Sequence, residues 1–314
     1  MNPRNAIERI AIIGAGAIGE AYASMFYDMD GGSISFIAAG ERAARLEREG
    51  ILVNGRHYSI PVHRPGENPA PADLIIVAVK HHHLSQAILD LQGSVGSHTL
   101  LLSFMNGIDS EEQMGSVYGM ERTLYSMLLG IDAVRIGNAV TYSTRGRVFF
   151  GEAKNLSHTE RVLRVKALFD RAGIHYEIPE DMIRTLWWKF MINVGINQAS
   201  AALRSTYGRF QTSREAKDLM ESAMREVAAI ARELGINLTE EDIRKWNMVM
   251  LGLSPGGKTS MLQDVEAGRK TEVEMFAGKV MELGRRHNIP TPVNEKLYRL
   301  IKGMEQGQNN GNSP

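Results

Sequence analysis

The segment at residues 9–29 constrains the fold of this chain more than any other. A short β-branched stretch (RIAII) is followed at once by GAGAIG at residues 14–19 and then by AYASMFYDM, which has helical spacing. A strand that passes through G-x-G-x-x-G into a helix is typical of dinucleotide-binding sheets. Gly14 permits the tight turn, Gly16 lets the backbone approach a pyrophosphate, and Gly19 lets the helix pack on the strand. A structural turn without a ligand is the alternative, because glycines mark many turns.

Further strand candidates alternate with helical segments through the first half. Residues 33–38, 73–79 and 98–104 are largely apolar, as strands covered on both faces are. Asn54-Gly55 between strand-like residues predicts a tight hairpin. Later strands are expected at residues 139–144, 147–151 and 175–178. The order predicts an α/β fold with a doubly wound (Rossmann-like), mostly parallel sheet that contains an antiparallel insertion.

The second half reads as consecutive helices with few β-branched runs. One helix is predicted to start at Thr239, with three acids in its first turn. Residues 259–288 predict a long amphipathic helix broken near Gly268. We therefore predict an NADP-binding domain at residues 1–179 and an all-helical substrate and catalytic domain at residues 180–314.

The composition excludes several classes of function. Lys plus Arg and Asp plus Glu number 36 each, so no global charge favours nucleic acid or an anionic membrane. The absence of cysteine excludes disulfides, thiolate catalysis and cysteine metal sites. No signal peptide or apolar span of ~20 residues is recognisable, which predicts a cytoplasmic protein. His81, His82 and His83 predict a solvated loop or helix start rather than a metal site, since three consecutive side chains do not converge on one ion.

The end of the second predicted strand bears on the choice of cofactor. NAD-dependent enzymes usually carry Asp or Glu there to hold the ribose 2′-hydroxyl. Here the strand ends in Ala38-Ala39-Gly40, with Glu41 and Arg42 after it. Arg42 is able to pair with a 2′-phosphate, which favours NADP. Alternatively, the charged pair simply begins a solvated helix.

Three polar residues interrupt an apolar helix at residues 185–203. Lys189, Asn193 and Asn197 recur at every fourth position and so share one face. A solvent-facing stripe is the alternative, but Asn is a poor helix former and two tryptophans adjoin the lysine. If the stripe is enclosed, these groups need partners from the protein or from a polar ligand. A lysine with amide donors suits a small 2-oxo acid.

With these motifs the chain resembles the ketopantoate reductases (2-dehydropantoate 2-reductases) over nearly its whole length. The resemblance rests on IAIIGAGAIG, on Lys80 and Asn106-Gly107 after two predicted strands, on WWKFMINVGIN and on TSMLQDVEAGRKTEVE. It implies reduction of ketopantoate to pantoate with NADPH, on the route to pantothenate and coenzyme A. Taken alone, Lys80 and Asn106 are equally compatible with ordinary exits from strands.

The resemblance also implies a role for each site residue. Lys189 polarises the keto oxygen and delivers the proton, while Glu272 holds the substrate hydroxyl and orients the lysine. Asn193 and Asn197 hold the substrate, and Ser260 binds its carboxylate. Helical spacing alone leaves Ser260 and Glu272 about 120° apart. The cofactor is expected on Gly14, Ala15, Gly16, Ala17, Ile18, Gly19, Arg42, Lys80 and Asn106, the last also near the substrate.

The sequence departs from the family at three positions. Ala39 replaces an arginine, Met105 a glutamine and Gln198 a proline. Alternatives are therefore a reductase of another 2-oxo acid or an imine on the same fold, and a non-catalytic NADP-sensing protein. Glu272 is alternatively one charge among several on an exposed face. A homodimer through the helical domain is compatible with the sequence, although no periodicity requires one.

Overall fold

The apolar segments of the first half form strands in the computed structural model, which describes residues 6–67 and 70–311. Two compact units divide the chain, Met1–Ile183 and Arg184–Pro314. Residue 179, the predicted boundary, lies four residues before this division. The strands are Ile10–Ile13 (β1), Ile34–Ile37 (β2), Ile51–Val53 (β3), Arg56–Tyr58 (β4), Val62–His63 (β5), Ala72–Val77 (β6), Val95–Ser103 (β7), Thr123–Ile131 (β8), Val134–Ile136 (β9), Ala139–Thr141 (β10), Arg145–Gly151 (β11) and Tyr176–Glu177 (β12).

Helices of both units have the following bounds. They are Ala17–Met29 (α1), Gly40–Glu49 (α2), Leu84–Asp90 (α3), Ser110–Tyr118 (α4), Glu160–Ala172 (α5), Met182–Ala202 (α6), Tyr207–Thr212 (α7), Arg214–Glu233 (α8), Glu240–Leu251 (α9), Ser260–Glu266 (α10), Lys279–His287 (α11) and Pro292–Gly311 (α12). A 3₁₀ turn precedes α3, and a π-helical turn at Glu274–Gly278 precedes α11. Over the described residues, no helix combines the length and hydropathy that a bilayer span requires.

The main sheet is the doubly wound sheet that the sequence predicts. Its strand order is β12-β11-β8-β7-β6-β1-β2-β5, and the strands from β5 to β8 are parallel to their neighbours. The pair β8–β11 is antiparallel. Buried side chains of α1 and α5 cover one face, and those of α3 and α4 cover the other. Because both faces are covered, the central strands are apolar on both sides.

One prediction about this unit needs correction, and two of its strands were missed. The Asn54-Gly55 hairpin forms, with φ of 47° and 79°, but it lies in a separate four-stranded sheet of order β4-β3-β10-β9 rather than inside the main sheet. Strands β8 and β9 were not predicted. The β8 segment TLYSMLLGI lacks period-two alternation and contains good helix formers, so its state is decided by pairing with β7 and β11.

The second unit is helical, as predicted. Asp242 accepts a hydrogen bond from the Thr239 amide (2.9 Å), so the expected helix starts at the expected place. Residues 259–288 do not form one long helix. The chain breaks at Gly268, whose φ of +66° is left-handed, and resumes through the π-helical turn into α11. Helix α8 packs against α7, α9, α11 and α12.

Candidate active site

The carboxyl ends of four parallel strands line up across the first unit. Ile37 of β2 pairs with Ile13 of β1, Ile13 pairs with Val77 of β6, and Val77 pairs with Ser103 of β7. The chain leaves each strand at or just after this line. The glycine loop, the start of α2 and the segments after β6 and β7 therefore begin at one edge of the sheet, where doubly wound folds bind ligands.

The three glycines of the loop each meet a different steric demand. Gly14 has a φ of +111°, and a Cβ there would lie 2.5 Å from the backbone of Ala78. A Cβ on Gly19 would lie 1.9 Å from the Gly14 carbonyl oxygen. A Cβ on Gly16 would meet nothing within 4 Å, and Gly16 caps α1 without a side-chain hydrogen bond. Gly14 and Gly19 therefore serve internal packing, and Gly16 leaves room beside an uncapped helix start, as a pyrophosphate requires.

The other predicted loop residues adjoin this helix start. Ala15 is buried, and Ala17 and Ile18 are half-buried in the first turn of α1. Arg42, from the first turn of α2, donates from Nη1 to the Ala15 carbonyl oxygen at 3.3 Å. The structure thus places the predicted Arg42 against the glycine loop, while Ala39 is exposed at the N-cap of α2.

A buried carboxylate lies under this loop, and no sequence pattern predicted it. Glu20 of α1 is 0% exposed, and its Oε1 lies 3.1 Å from Arg135 Nη1 and 3.4 Å from Arg45 Nη2. Burial raises the pKa of Glu20, and the two arginines oppose that rise. Burial also lowers the pKa of Arg135, which the Glu20 carboxylate partly offsets. Arg135 comes from β9, so its position depends on a pairing far along the chain.

Lys80 is half-buried and caps the 3₁₀ turn formed by His81–His83. The three histidines therefore begin a helical segment, one of the two outcomes that the sequence predicted. His82 and His83 are exposed, and their rings lie 4.1 Å apart. Within the described ranges, no three His, Asp or Glu side chains are grouped as metal ligands.

The loop that carries Asn106 is tied to a second buried carboxyl group. Asn106 itself is half-buried. The Met105 amide donates to Ser103 Oγ (3.3 Å), the Ser103 and Ser110 hydroxyls are hydrogen-bonded at 2.7 Å, and Ser110 Oγ donates to Glu111 Oε2 at 2.8 Å. Burial raises the pKa of Glu111 to about 7. This chain of hydrogen bonds links the backbone next to Asn106 with a group that titrates near neutrality.

Helix α6 carries the predicted stripe of polar residues. Every residue from Met182 to Ala202 is buried or half-buried, so the stripe does not face open solvent. Lys189 and Asn193 are half-buried, and Asn197 is 6% exposed. The polar stripe therefore lies on a helix without an exposed residue, and Asn197 is its most deeply buried member.

Ser260 is joined to α6 through its neighbour in sequence. Thr259 caps α10 and lies 2.5 Å, oxygen to oxygen, from Ser200, whose hydroxyl donates to the Asn197 carbonyl oxygen at 3.2 Å. Ser260 follows as the first residue of α10 and is exposed. The structure thus connects the backbone of Asn197, through Ser200 and Thr259, to the start of the helix that carries Ser260.

Glu272 lies just before the π-helical turn and is half-buried. Its neighbours Lys270 and Glu274 are exposed, so it differs from them in environment. Its backbone carbonyl accepts from the Phe276 amide (3.1 Å), and the Phe276 ring packs 6.3 Å from that of Phe190 on α6. The segment after Glu272 therefore packs on α6 at Phe190, the residue that follows Lys189 in sequence.

Gln198, which replaces the proline usual in the family, has a structural role in this chain. Its amide nitrogen donates to Asn294 Oδ1 at 3.0 Å, and Asn294 donates to Glu226 at 2.7 Å. The side chain thus ties α6 to α12 and α8.

Three charged residues that the sequence did not predict lie next to the predicted site residues, namely Glu20, Arg135 and Glu111. No local pattern marks them, because each meets its partners only through tertiary packing.

Comparison with known proteins adds an independent line of information. The family model "Ketopantoate reductase PanE/ApbA" matches residues 10–155, and "Ketopantoate reductase PanE/ApbA C terminal" matches residues 181–305. The 2-dehydropantoate 2-reductases of Pyrococcus horikoshii and Aquifex aeolicus are 27% and 25% identical, each over 95% of this chain and 97% of the relative.

Solved structures show the same fold. A PanE/ApbA family ketopantoate reductase from Ralstonia eutropha has a TM-score of 0.82 at 23% identity, over 96% of this chain and 99% of that one. D-mandelate dehydrogenase with NADH and anilino(oxo)acetate has a TM-score of 0.86 at 21% identity, with the same coverage. A dimeric ketopantoate reductase from Staphylococcus aureus has a TM-score of 0.78 at 21% identity, again with that coverage.

Proposed function

Because this chain belongs to the ketopantoate reductase family, whose members are oxidoreductases that use a nicotinamide cofactor, we propose that it reduces 2-dehydropantoate to pantoate with NADPH. This reaction is a step towards pantothenate and coenzyme A. The observation that carries the proposal is helix α6, where a lysine and two asparagines share one face of a helix without an exposed residue.

The glycine loop fits the cofactor. Gly16 offers open space at the uncapped start of α1, and Gly14 and Gly19 hold the loop in place by close packing. Ala15, Ala17 and Ile18 complete the loop, and Lys80 and Asn106 follow the neighbouring strands β6 and β7. When bound, the cofactor supplies the hydride. The absence of an acid at the tip of β2, together with Arg42 beside the loop, supports NADPH over NADH.

We assign to Lys189 the role of proton donor to the keto oxygen. Reduction of a keto group places negative charge on its oxygen, and a nearby ammonium group stabilises that charge as it develops. The same group then donates the proton that completes the alcohol. Enclosure of α6 favours this role, since electrostatic interactions are stronger where water is scarce. Glu272 is assigned to the substrate hydroxyl and to the orientation of Lys189.

The remaining polar residues are assigned to substrate binding. Asn193 and Asn197 lie one and two turns beyond Lys189, where amides hold a substrate without competing for the proton. Ser260 is assigned to the carboxylate, and its link to Asn197 through Thr259 and Ser200 supports a shared site. Asn106 is assigned to the region where substrate and nicotinamide meet.

The decisive experiment is a turnover panel. Purified protein is mixed with NADPH and, in separate reactions, with ketopantoate, 2-oxoisovalerate, phenylglyoxylate and pyruvate, and the nicotinamide absorbance is followed. We expect the highest kcat/KM with ketopantoate, together with loss of that turnover in Lys189→Met. A higher kcat/KM with a substrate that lacks the hydroxyl group would overturn the assignment of ketopantoate.

A second candidate is a reductase of another small 2-oxo acid or an imine. The departures at Ala39, Met105 and Gln198 favour it, as does the shared fold with D-mandelate dehydrogenase. A third candidate is a non-catalytic NADP sensor, which would bind NADPH without turnover of any substrate in the panel.

A homodimer is part of our proposal, supported by the dimeric relative of the same fold. Light scattering on the purified protein tests it.

A further inference from the structure

Two arginines from distant parts of the chain meet at one backbone oxygen of the glycine loop. Arg42 Nη1 and Arg135 Nη1 both donate to the Ala15 carbonyl, at 3.3 Å and 2.6 Å. The two nitrogens are therefore no more than 5.9 Å apart, which is the sum of these distances. Two cations held this close beside the glycine loop attract an anion.

Both arginines line a pocket between α2 and the β9–β10 turn. The pocket has a volume of about 350 Å³. Its lining includes four arginines and two glutamates, namely Arg42, Arg45, Arg48, Arg135, Glu41 and Glu49. Arg48 is paired with one of these, Glu49, at 2.6 Å. A phosphate group fits this volume, and planar guanidinium groups bind phosphate oxygens in pairs.

The carboxylate of Glu20 supports the arrangement from beneath. It is fully buried and contacts Arg135 at 3.1 Å and Arg45 at 3.4 Å. One carboxylate facing these arginines lowers their mutual repulsion and holds the Arg135 side chain against the loop. It does not cancel the positive charge, because Arg42 has no carboxylate within 4 Å among the described ion pairs.

We propose that Arg135 and Arg42 together bind the 2′-phosphate of NADPH, with Glu20 as the positioning residue for Arg135. This inference rests on the proposed use of NADPH and names the residues that select it. Ala39 stands where the family usually has an arginine at the end of β2, so the charge is supplied from β9, on a different sheet. The cofactor preference of this chain then depends on a residue outside the usual strand-end position.

Binding measurements test the inference without requiring turnover. Dissociation constants for NADPH and NADH are measured by fluorescence titration on the full-length protein, for the wild type and Arg135→Gln. Loss of a charge-assisted hydrogen bond should weaken NADPH about 10- to 100-fold. NADH affinity should stay within about twofold, because its ribose carries a hydroxyl group at this position. Competition by 2′,5′-ADP, 5′-AMP and inorganic phosphate separates recognition of the 2′-phosphate from binding of free phosphate.

The control is Arg56→Gln, an exposed arginine of the same small sheet that pairs with Asp28 away from the pocket. It should leave both affinities unchanged. Glu20→Gln should weaken NADPH in the wild-type background but not in the Arg135→Gln background, since a positioning residue acts through its partner.

The outcomes separate this inference from the proposed function. If wild type prefers NADPH and Arg135→Gln keeps that preference, Arg135 is a structural clamp and the inference is wrong, although NADPH remains the cofactor. Equal weakening of NADPH and NADH binding in Arg135→Gln would overturn the inference in the same way. If wild type binds both cofactors equally, the NADPH proposal and this inference both fail. If Arg135→Gln weakens the binding of NADPH but not of NADH, and the wild type does not turn over ketopantoate, only the substrate assignment fails.

Discussion

The hydroxyl groups of Ser200 and Thr259 are hydrogen-bonded at 2.5 Å, and this contact ties α6 to the start of α10. One arrangement of protons satisfies every group: the Leu262 amide donates to Thr259, Thr259 to Ser200, and Ser200 to the Asn197 carbonyl. The backbone carbonyl of Asn197 is thereby linked to Thr259, the residue that precedes Ser260. The contact explains how Ser200 and Thr259, which are 59 positions apart, come to adjoin one another.

Breaking this contact should loosen the proposed carboxylate site. Ser200→Ala leaves the buried Thr259 hydroxyl without its acceptor, at a cost of about 1–3 kcal/mol in the free energy of unfolding. We expect KM for ketopantoate to rise more than kcat falls. Ser205→Ala, whose hydroxyl bonds only the nearby Leu203 carbonyl, is the control. An unchanged KM in Ser200→Ala would show that the contact does not position Ser260.

Ser260→Ala should act mainly on substrate affinity. A neutral hydroxyl that donates to a carboxylate contributes similarly in the ground state and in the transition state, so its loss raises KM with little change in kcat. Steady-state kinetics with ketopantoate and saturating NADPH measure both constants. A collapse of kcat at constant KM would assign Ser260 a role in the chemical step instead.

Lys189→Ala should abolish most of the turnover but leave cofactor binding intact. We expect kcat to fall about 10²- to 10⁴-fold, the usual contribution of a positioned general acid. The NADPH dissociation constant should hardly change, because the cofactor is assigned to the glycine loop. Lys245→Ala on the exposed face of α9 controls for the loss of a lysine. Near wild-type kcat in Lys189→Ala would remove it from the mechanism.

Gly19→Ala should lower the stability of the fold, whereas Gly16→Ala should weaken cofactor binding. The Cβ of Gly19→Ala would meet the Gly14 carbonyl oxygen at 1.9 Å, so the loop must move and the melting temperature should fall. The Cβ of Gly16→Ala has open space, so the fold should persist while the added methyl group obstructs the pyrophosphate. Thermal melts and NADPH titrations on both variants test this. Normal NADPH affinity in Gly16→Ala would contradict the assigned docking site.

Glu111 should make stability depend on pH. Its pKa is raised by burial from 4.5 to about 7, so the folded state binds more protons than the unfolded state between these values. The stabilising effect of the bound proton is present below pH 4.5 and is lost as pH rises through 7. Glu111→Gln should therefore gain stability relative to the wild type between pH 5 and pH 8, by at most about 3 kcal/mol. Urea unfolding of both proteins at pH 5 and at pH 8 measures this gain, and an equal difference in the free energy of unfolding at the two pH values would contradict the prediction.

Local patterns were sufficient to predict the strand and helix that enclose the glycine loop, the Asn54-Gly55 turn and the start of α9 at Thr239. Each depends on residues within one turn or one loop, whose backbone preferences are readable from neighbouring side chains. The apolar character of α6 likewise predicted an enclosed helix. The family resemblance also named Ser260 and Glu272, which spacing along a helix does not place together.

Tertiary structure alone decided the rest. Strand β8 has no alternating pattern, and its state follows from pairing with β7 and β11. Glu111 is an acid in the first turn of a helix, as is common at helix starts, until packing buries it and raises its pKa. Arg135 is 120 residues from Ala15 in the chain, and only the small four-stranded sheet brings it to the glycine loop. Charge, burial and partner choice at such positions depend on neighbours that are remote in sequence, so they are properties of the folded chain.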